Sequence, residues 1–123
     1  MSEMFSVEDR SVLIVNEHGE VALTMKPLGV NVTDLIAIPI GGNPGAVVLL
    51  DGGAEGGRGW DNIVGIDVTG SIVWRAKRPG YITSAPYRYI RLRDGRLYGY
   101  ADSGFEVLLN PDTGEIEQAN WTK

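Results

Sequence analysis

Three stretches of this chain repeat one pattern: an apolar strand, a turn closed by glycine, and a second strand. They are Ser11-Val-Leu-Ile-Val-Asn-Glu-His-Gly-Glu-Val-Ala-Leu23, Asn62-Ile-Val-Gly-Ile-Asp-Val-Thr-Gly-Ser-Ile-Val-Trp74 and Phe105-Glu-Val-Leu-Leu-Asn-Pro-Asp-Thr-Gly-Glu-Ile-Glu117. Their turn glycines are Gly19, Gly70 and Gly114, spaced 51 and 44 residues apart. A period of that size in a strand-rich chain points to repeated β units. It constrains the fold strongly and names no chemistry.

The rest of the chain agrees with an all-β reading. No segment beyond one or two turns carries helical periodicity. Residues 1–10 read as an entry segment with one helical turn capped by Ser6. Val12-Leu-Ile-Val15 is apolar without alternation, which predicts a strand covered on both faces. Residues 33–40 read as a strand ending near Pro39, and Ala46–Asp51 as a strong strand. Four closely linked strands follow at 87–93, 96–101, 105–110 and 115–121. They are joined by Asp94-Gly95, by Asp102-Ser-Gly104 and by Pro111-Asp-Thr-Gly114. The expected architecture is a single domain over residues 1–123, an antiparallel up-and-down meander with repeat hairpins at about 11–26, 62–77 and 105–121.

The stretch Asn62 to Arg75 resembles the outer half of a quinoprotein-type β-propeller blade, in which an apolar strand ends in Asp, a Thr-Gly turn follows, and the next strand carries Trp. Arg96-Leu-Tyr-Gly-Tyr100 and Asn110-Pro-Asp-Thr-Gly-Glu-Ile116 resemble the matching pieces of a further blade. The resemblance covers about residues 46–121, with a degenerate copy at 11–26. It extends to short stand-alone bacterial β proteins of unknown function. It implies propeller-like blades, but four blades of about 40 residues need more than 123. The blades therefore pack as a sandwich or as an incomplete propeller, or several chains complete a ring. No quinone site is implied, because that cofactor sits at the centre of a full ring.

Charge narrows the function. The net charge of −5 argues against a nucleic-acid binder, whose attraction comes from a basic surface. Yet residues 75–96 hold seven of the eleven basic residues and one acid, Asp94. Residues 1–74 hold ten acids against three bases. Either acidic and basic strands face each other inside the fold, or the basic stretch is offered to a partner. The chain has no cysteine, so it carries neither a disulfide framework nor a thiolate metal site. No apolar run approaches the roughly 20 residues of a membrane helix. Glu3, Glu8 and Asp9 stand where a signal peptide would be basic, so a soluble cytoplasmic protein is expected.

The Asp94-Gly95 turn sorts the surrounding side chains. A two-residue hairpin pairs Arg93 with Arg96, Leu92 with Leu97, Arg91 with Tyr98, Ile90 with Gly99 and Tyr89 with Tyr100. Ile90, Leu92, Leu97, Gly99 and Ala101 then share a core face. Tyr87, Tyr89, Arg91, Arg93, Arg96, Tyr98 and Tyr100 share the other. Tyrosine and arginine are the residues enriched at interface hot spots. Arg93 opposite Arg96 is a like-charge pair that an acidic partner would relieve.

Other candidates carry less. Gly52-Gly-Ala-Glu-Gly-Gly-Arg-Gly59 lacks the Gly-Lys-Ser/Thr ending of a phosphate loop and reads as a mobile inter-strand loop. His18 is the only histidine and sits in a turn. Asp51, Glu55, Asp61 and Asp67 cluster around the glycine loop without a calcium-loop spacing. Trp74 and Trp121 read as packing residues. The expectation is a non-enzymatic macromolecule-binding module, of inhibitor or immunity type, without cofactor or metal. Its partner is a protein with an acidic surface, not nucleic acid or membrane. The alternatives are a self-assembling blade protein that forms a homo-oligomer, and a small carbohydrate-acting hydrolase.

Overall fold

The computed structural model describes residues 4–53, 61–77, 86–101 and 104–121. Eleven strands follow one another there: β1 (Met4–Glu8), β2 (Ser11–Val15), β3 (Val21–Met25), β4 (Val32–Ala37), β5 (Gly45–Leu50), β6 (Ile63–Asp67), β7 (Ile72–Ala76), β8 (Tyr87–Arg93), β9 (Arg96–Ala101), β10 (Phe105–Leu109) and β11 (Ile116–Trp121). They form three antiparallel sheets of consecutive strands: β1–β3, β4–β7 and β8–β11.

The second sheet lies between the other two. Val12 and Ile14 of the first sheet pack on Ala46, Val48, Leu50, Val64 and Ile66 of the second. The opposite face of that second sheet, with Val47, Leu49, Ile63 and Trp74, packs on Tyr87, Ile90, Leu97, Val107 and Leu109 of the third. Alternate residues of one strand thus feed two different cores, which is why β5 is buried throughout. The double coverage expected of Val12–Val15 belongs instead to β5. In β2 only Val12 and Ile14 are sealed, and Leu13 and Val15 are half-buried because no described sheet covers that side.

The entry segment is also corrected. Residues 4–8 form strand β1, paired through Phe5↔Ile14 and Val7↔Val12, rather than a capped helical turn. Pairing with β2 along its whole length and the packing of Phe5 against the core outweigh the capping signal of Ser6.

The three repeat turns share one construction. Asn16 Oδ1 accepts from the N–H groups of His18 (2.9 Å) and Glu20 (3.0 Å). Asp67 Oδ1 accepts from the N–H groups of Thr69 (2.8 Å) and Ser71 (3.1 Å), and Asn110 Oδ1 from that of Asp112 (2.9 Å). An Asx side chain at the strand end organises each reversal, and glycine at φ +79°, +79° and +74° completes it.

The sheets are joined at those turns. Gly70 lies beneath Leu23 of the first sheet, so close that a Cβ would meet its Cδ2 at 2.6 Å. Gly114 lies beneath the indole of Trp74, whose Nε1 donates to the Pro111 carbonyl at 2.8 Å. Leu23 and Trp74 each stand four residues after their own turn glycine. The side chains of Trp60 and Trp121 lie outside the described residues.

Candidate interaction surface

The Asp94-Gly95 turn has both central residues at positive φ, 52° and 75°, the mirror-image turn whose twist suits a two-residue hairpin. The register is the expected one from Arg93↔Arg96 to Tyr89↔Tyr100. Ile90, Leu97, Gly99 and Ala101 face the second sheet and are buried. Leu92 shares that face but stays 45% exposed near the hairpin tip. Tyr89, Arg91, Arg93, Arg96, Tyr98 and Tyr100 share the other face.

That outer face is an ordered stack. The Tyr89 and Tyr100 rings lie 4.7 Å apart at 26°. The Arg91 guanidinium stands 5.8 and 5.7 Å from their centroids. Arg93 lies 4.2 Å above the Tyr98 ring. Its Nη1 donates to the Tyr100 hydroxyl at 3.3 Å and stands 3.4 Å from Glu106 Oε2. Hydrogen bonding with Tyr98, and then the neighbouring Tyr100 and Glu106, hold the Arg93 guanidinium above its ordinary value. Burial pushes the Tyr100 phenol up, and Glu106 adds to the shift.

Tyr87 departs from the expectation. It is 2% exposed and points into the core, so it does not belong to the outer face. The ladder shifts between Tyr87 and Tyr89, setting Tyr87 opposite Ala101 with Arg88 as the extra residue. Asn62 holds this bulge in place. Its Oδ1 accepts the Tyr87 N–H at 2.8 Å, while its Nδ2 donates to the carbonyls of Tyr87 and Leu50, both at 2.9 Å. The Tyr87 hydroxyl donates to the Lys77 carbonyl at 3.0 Å.

Glu106 is the residue that sequence reasoning missed. It lies opposite Tyr100 on β10 and pairs with Arg93. The three-residue turn between β9 and β10 carried that signal, since it brings Glu106 onto the Tyr/Arg face. Glu106 engages Arg93 and the Tyr100 phenol. Among the described residues neither Arg91 nor Arg96 has a carboxylate within ion-pair distance. On this face, then, β10 supplies Glu106 to Arg93, while Arg91 and Arg96 have no described carboxylate beside them.

The other candidates have structural uses. The Asp67 carboxylate is held below its ordinary value, first by the Thr69 hydroxyl at 2.6 Å and also by backbone N–H groups. Asp51 accepts the Gly53 N–H at 3.0 Å. The Asp61 carbonyl accepts from Arg75 Nε at 2.7 Å. Glu55 and residues 54–59 of the glycine loop lie outside the described residues. His18 is an exposed turn residue 3.6 Å from Glu17. Among the described residues no three His, Cys, Asp or Glu side chains converge as a metal site, and no helix is long and apolar enough to cross a membrane.

The model of a domain of unknown function, DUF7957, matches residues 13–121. The chain belongs to this family. The match begins inside β2 and ends with β11, so it takes in β3 with part of β2 from the first sheet and the whole of the other two, including the Tyr/Arg face. No curated protein matches the chain.

Proposed function

We propose that this DUF7957 protein is a non-enzymatic binding module whose contact surface is the outer face of the third sheet. Tyr89, Arg91, Arg93, Arg96, Tyr98 and Tyr100 supply the anchors, and the partner presents an acidic protein surface, as a target of an inhibitor or immunity-type protein would. The observation that carries this reading is an ordered Tyr/Arg stack, with Tyr89 and the arginines exposed, Tyr98 half-buried and Tyr100 only 9% exposed beneath them, in which two guanidinium groups have no carboxylate partner among the described residues. Tyrosine offers a large contact at low entropic cost, and arginine a bidentate fork for carboxylates. The stack pre-arranges these side chains before any partner arrives, which lowers the ordering cost of binding. Net charge of −5 disfavours nucleic acid as that partner.

The test is affinity capture from a cell extract with wild type and an Arg91→Ala/Tyr98→Ala double variant. Loss of specific partners is expected; unchanged partner lists would refute the proposal. A second reading, a self-assembling protein of propeller-like blades, is favoured by the repeated glycine joints and by the closest inter-sheet approaches, which run between first strands, β1 with β4 and β4 with β8.

A further inference from the structure

The joints between sheets follow a rule that the two outermost sheets leave incomplete. Leu23, four residues after Gly19, covers Gly70. Trp74, four residues after Gly70, covers Gly114. Gln118 stands four residues after Gly114 and is exposed. It lies on the Tyr/Arg face, opposite Leu108, which in turn lies opposite Tyr98. At the other end, a Cβ on Gly19 would meet nothing within 4 Å. Among the described residues, one end of the stack thus has a knob position with nothing to cover, and the other a glycine turn with nothing over it.

We propose that a second copy of this chain completes both joints: the third sheet of one copy packs on the first sheet of the other, head to tail, and two copies close into a ring of six sheets. This rests on the reading of the Tyr/Arg face as a contact surface and names its occupant.

Three observations support that occupant. The interface continues one the chain already builds twice. The charges are complementary, since residues 4–26 hold Glu8, Asp9, Glu17 and Glu20 against Arg10 and Lys26, while Arg91 and Arg96 on the opposite end have no carboxylate partner among the described residues. The outer face of the first sheet also exposes Met4 (68%) and Val21 (62%) beside half-buried Leu13 and Val15, a surface the Tyr rings would cover.

Area favours a closed pair over an open chain of copies. A sheet face of four five-residue strands spans on the order of 300 Å². That is well below the roughly 800 Å² per partner of a stable interface. An open chain of copies gains one such contact per added copy. A closed pair gains two, using both outer faces of each chain, and a heterologous contact that closes also leaves no end to grow. Six sheets fall within the roughly four to eight of closed rings of four-stranded sheets.

The test is sedimentation velocity across micromolar to sub-millimolar concentrations. Wild type is expected to shift from the mass of one chain, 13.3 kDa, toward twice that mass and no further. Gln118→Leu should tighten the association roughly tenfold or more, because its cross-strand neighbour Leu108 stands as Ile14 does beside Leu23. Gly19→Asn, which tolerates positive φ, should weaken it about tenfold by filling the open turn. Circular dichroism checks that both variants fold. A single-chain mass for wild type and Gln118→Leu at every concentration overturns the proposal, as does a dimer indifferent to both substitutions. A monomer that still captures another protein through Arg91 and Tyr98 overturns the ring alone and leaves the binding-module reading intact.

Discussion

Replacing each turn glycine by alanine separates backbone strain from the joints between sheets. Gly19, Gly70 and Gly114 have nearly the same φ, +79°, +79° and +74°. The intrinsic cost of alanine in this left-handed conformation is therefore common to all three, about 1–2 kcal/mol, offset by about 0.4–1 kcal/mol from the stiffer unfolded chain. What differs is the neighbour. At Gly19 the new methyl enters open space, so the net loss is about 1 kcal/mol. At Gly70 it meets Leu23 Cδ2, the end of a side chain that can shift, and overpacking adds roughly 1 kcal/mol. At Gly114 it overlaps the ring of Trp74. That indole cannot retreat: a Cβ at Gly65 on its other side would be as crowded, and its Nε1 is tied to Pro111. Overpacking of 1–3 kcal/mol and loss of a hydrogen bond near 1 kcal/mol bring the total to about 3–5 kcal/mol. Urea unfolding followed by tryptophan fluorescence, at concentrations where the chain is monomeric, reads the order Gly19 < Gly70 < Gly114. Three equal losses would show that the sheets do not depend on these joints.

Three further outcomes are expected. The Tyr100 phenol titrates above its ordinary value, so its contribution to stability is intact below pH 10 and disappears as pH rises through the folded-state value; ultraviolet titration should show Glu106→Gln lowering that value only in part, since burial is the first cause. The Asp67 carboxyl titrates below 3.8, so its contribution is present above that pH and disappears as pH falls through the folded-state value; carbon NMR of Thr69→Val should move it back toward the ordinary carboxylate range. Trp74→Phe keeps most of the apolar contact but loses the bond to Pro111, at a cost of about 1–2 kcal/mol by chemical unfolding, against about 3–5 kcal/mol for Trp74→Ala.

What could be read from the chain was local. The repeat hairpins were legible because Asn16, Asp67 and Asn110 each organise a turn within a few residues of themselves. The Tyr/Arg register was legible because Asp94 and Gly95 determine it alone. What could not be read depended on distant partners. Both Val12–Val15 and Ala46–Leu50 are unbroken apolar runs, and only the stacking order of the sheets decides that β5 is the one covered twice. Strand β1 owes its conformation to β2, with Phe5 packed against the core and Val7 left 41% exposed. Tyr87 turns inward because of an amide 25 residues away. Alternation from the hairpin tip has no access to that bulge.

Asn62 and Gly95 therefore control different parts of the Tyr/Arg face, and substitution can tell them apart. Asn62 is fully buried and makes three hydrogen bonds that bridge the second and third sheets. Asn62→Ala strands the Tyr87 N–H and leaves the Leu50 and Tyr87 carbonyls short of a donor, a loss of about 2–4 kcal/mol. Amide exchange at Tyr87 should accelerate in step. The register from Tyr89 to Arg93 is set from the other end, so the folded fraction of Asn62→Ala should bind its partner with unchanged affinity. Gly95→Val acts in the opposite sense. A β-branched residue resists φ +75°, the two-residue turn is lost, and a slip of one residue exchanges the Tyr/Arg set with the Ile90/Leu97 set. Binding should then fail in protein that still shows a strand spectrum. If Asn62→Ala abolished binding while Gly95→Val left it intact, the contact surface would have to lie near the Tyr87 bulge rather than on the hairpin.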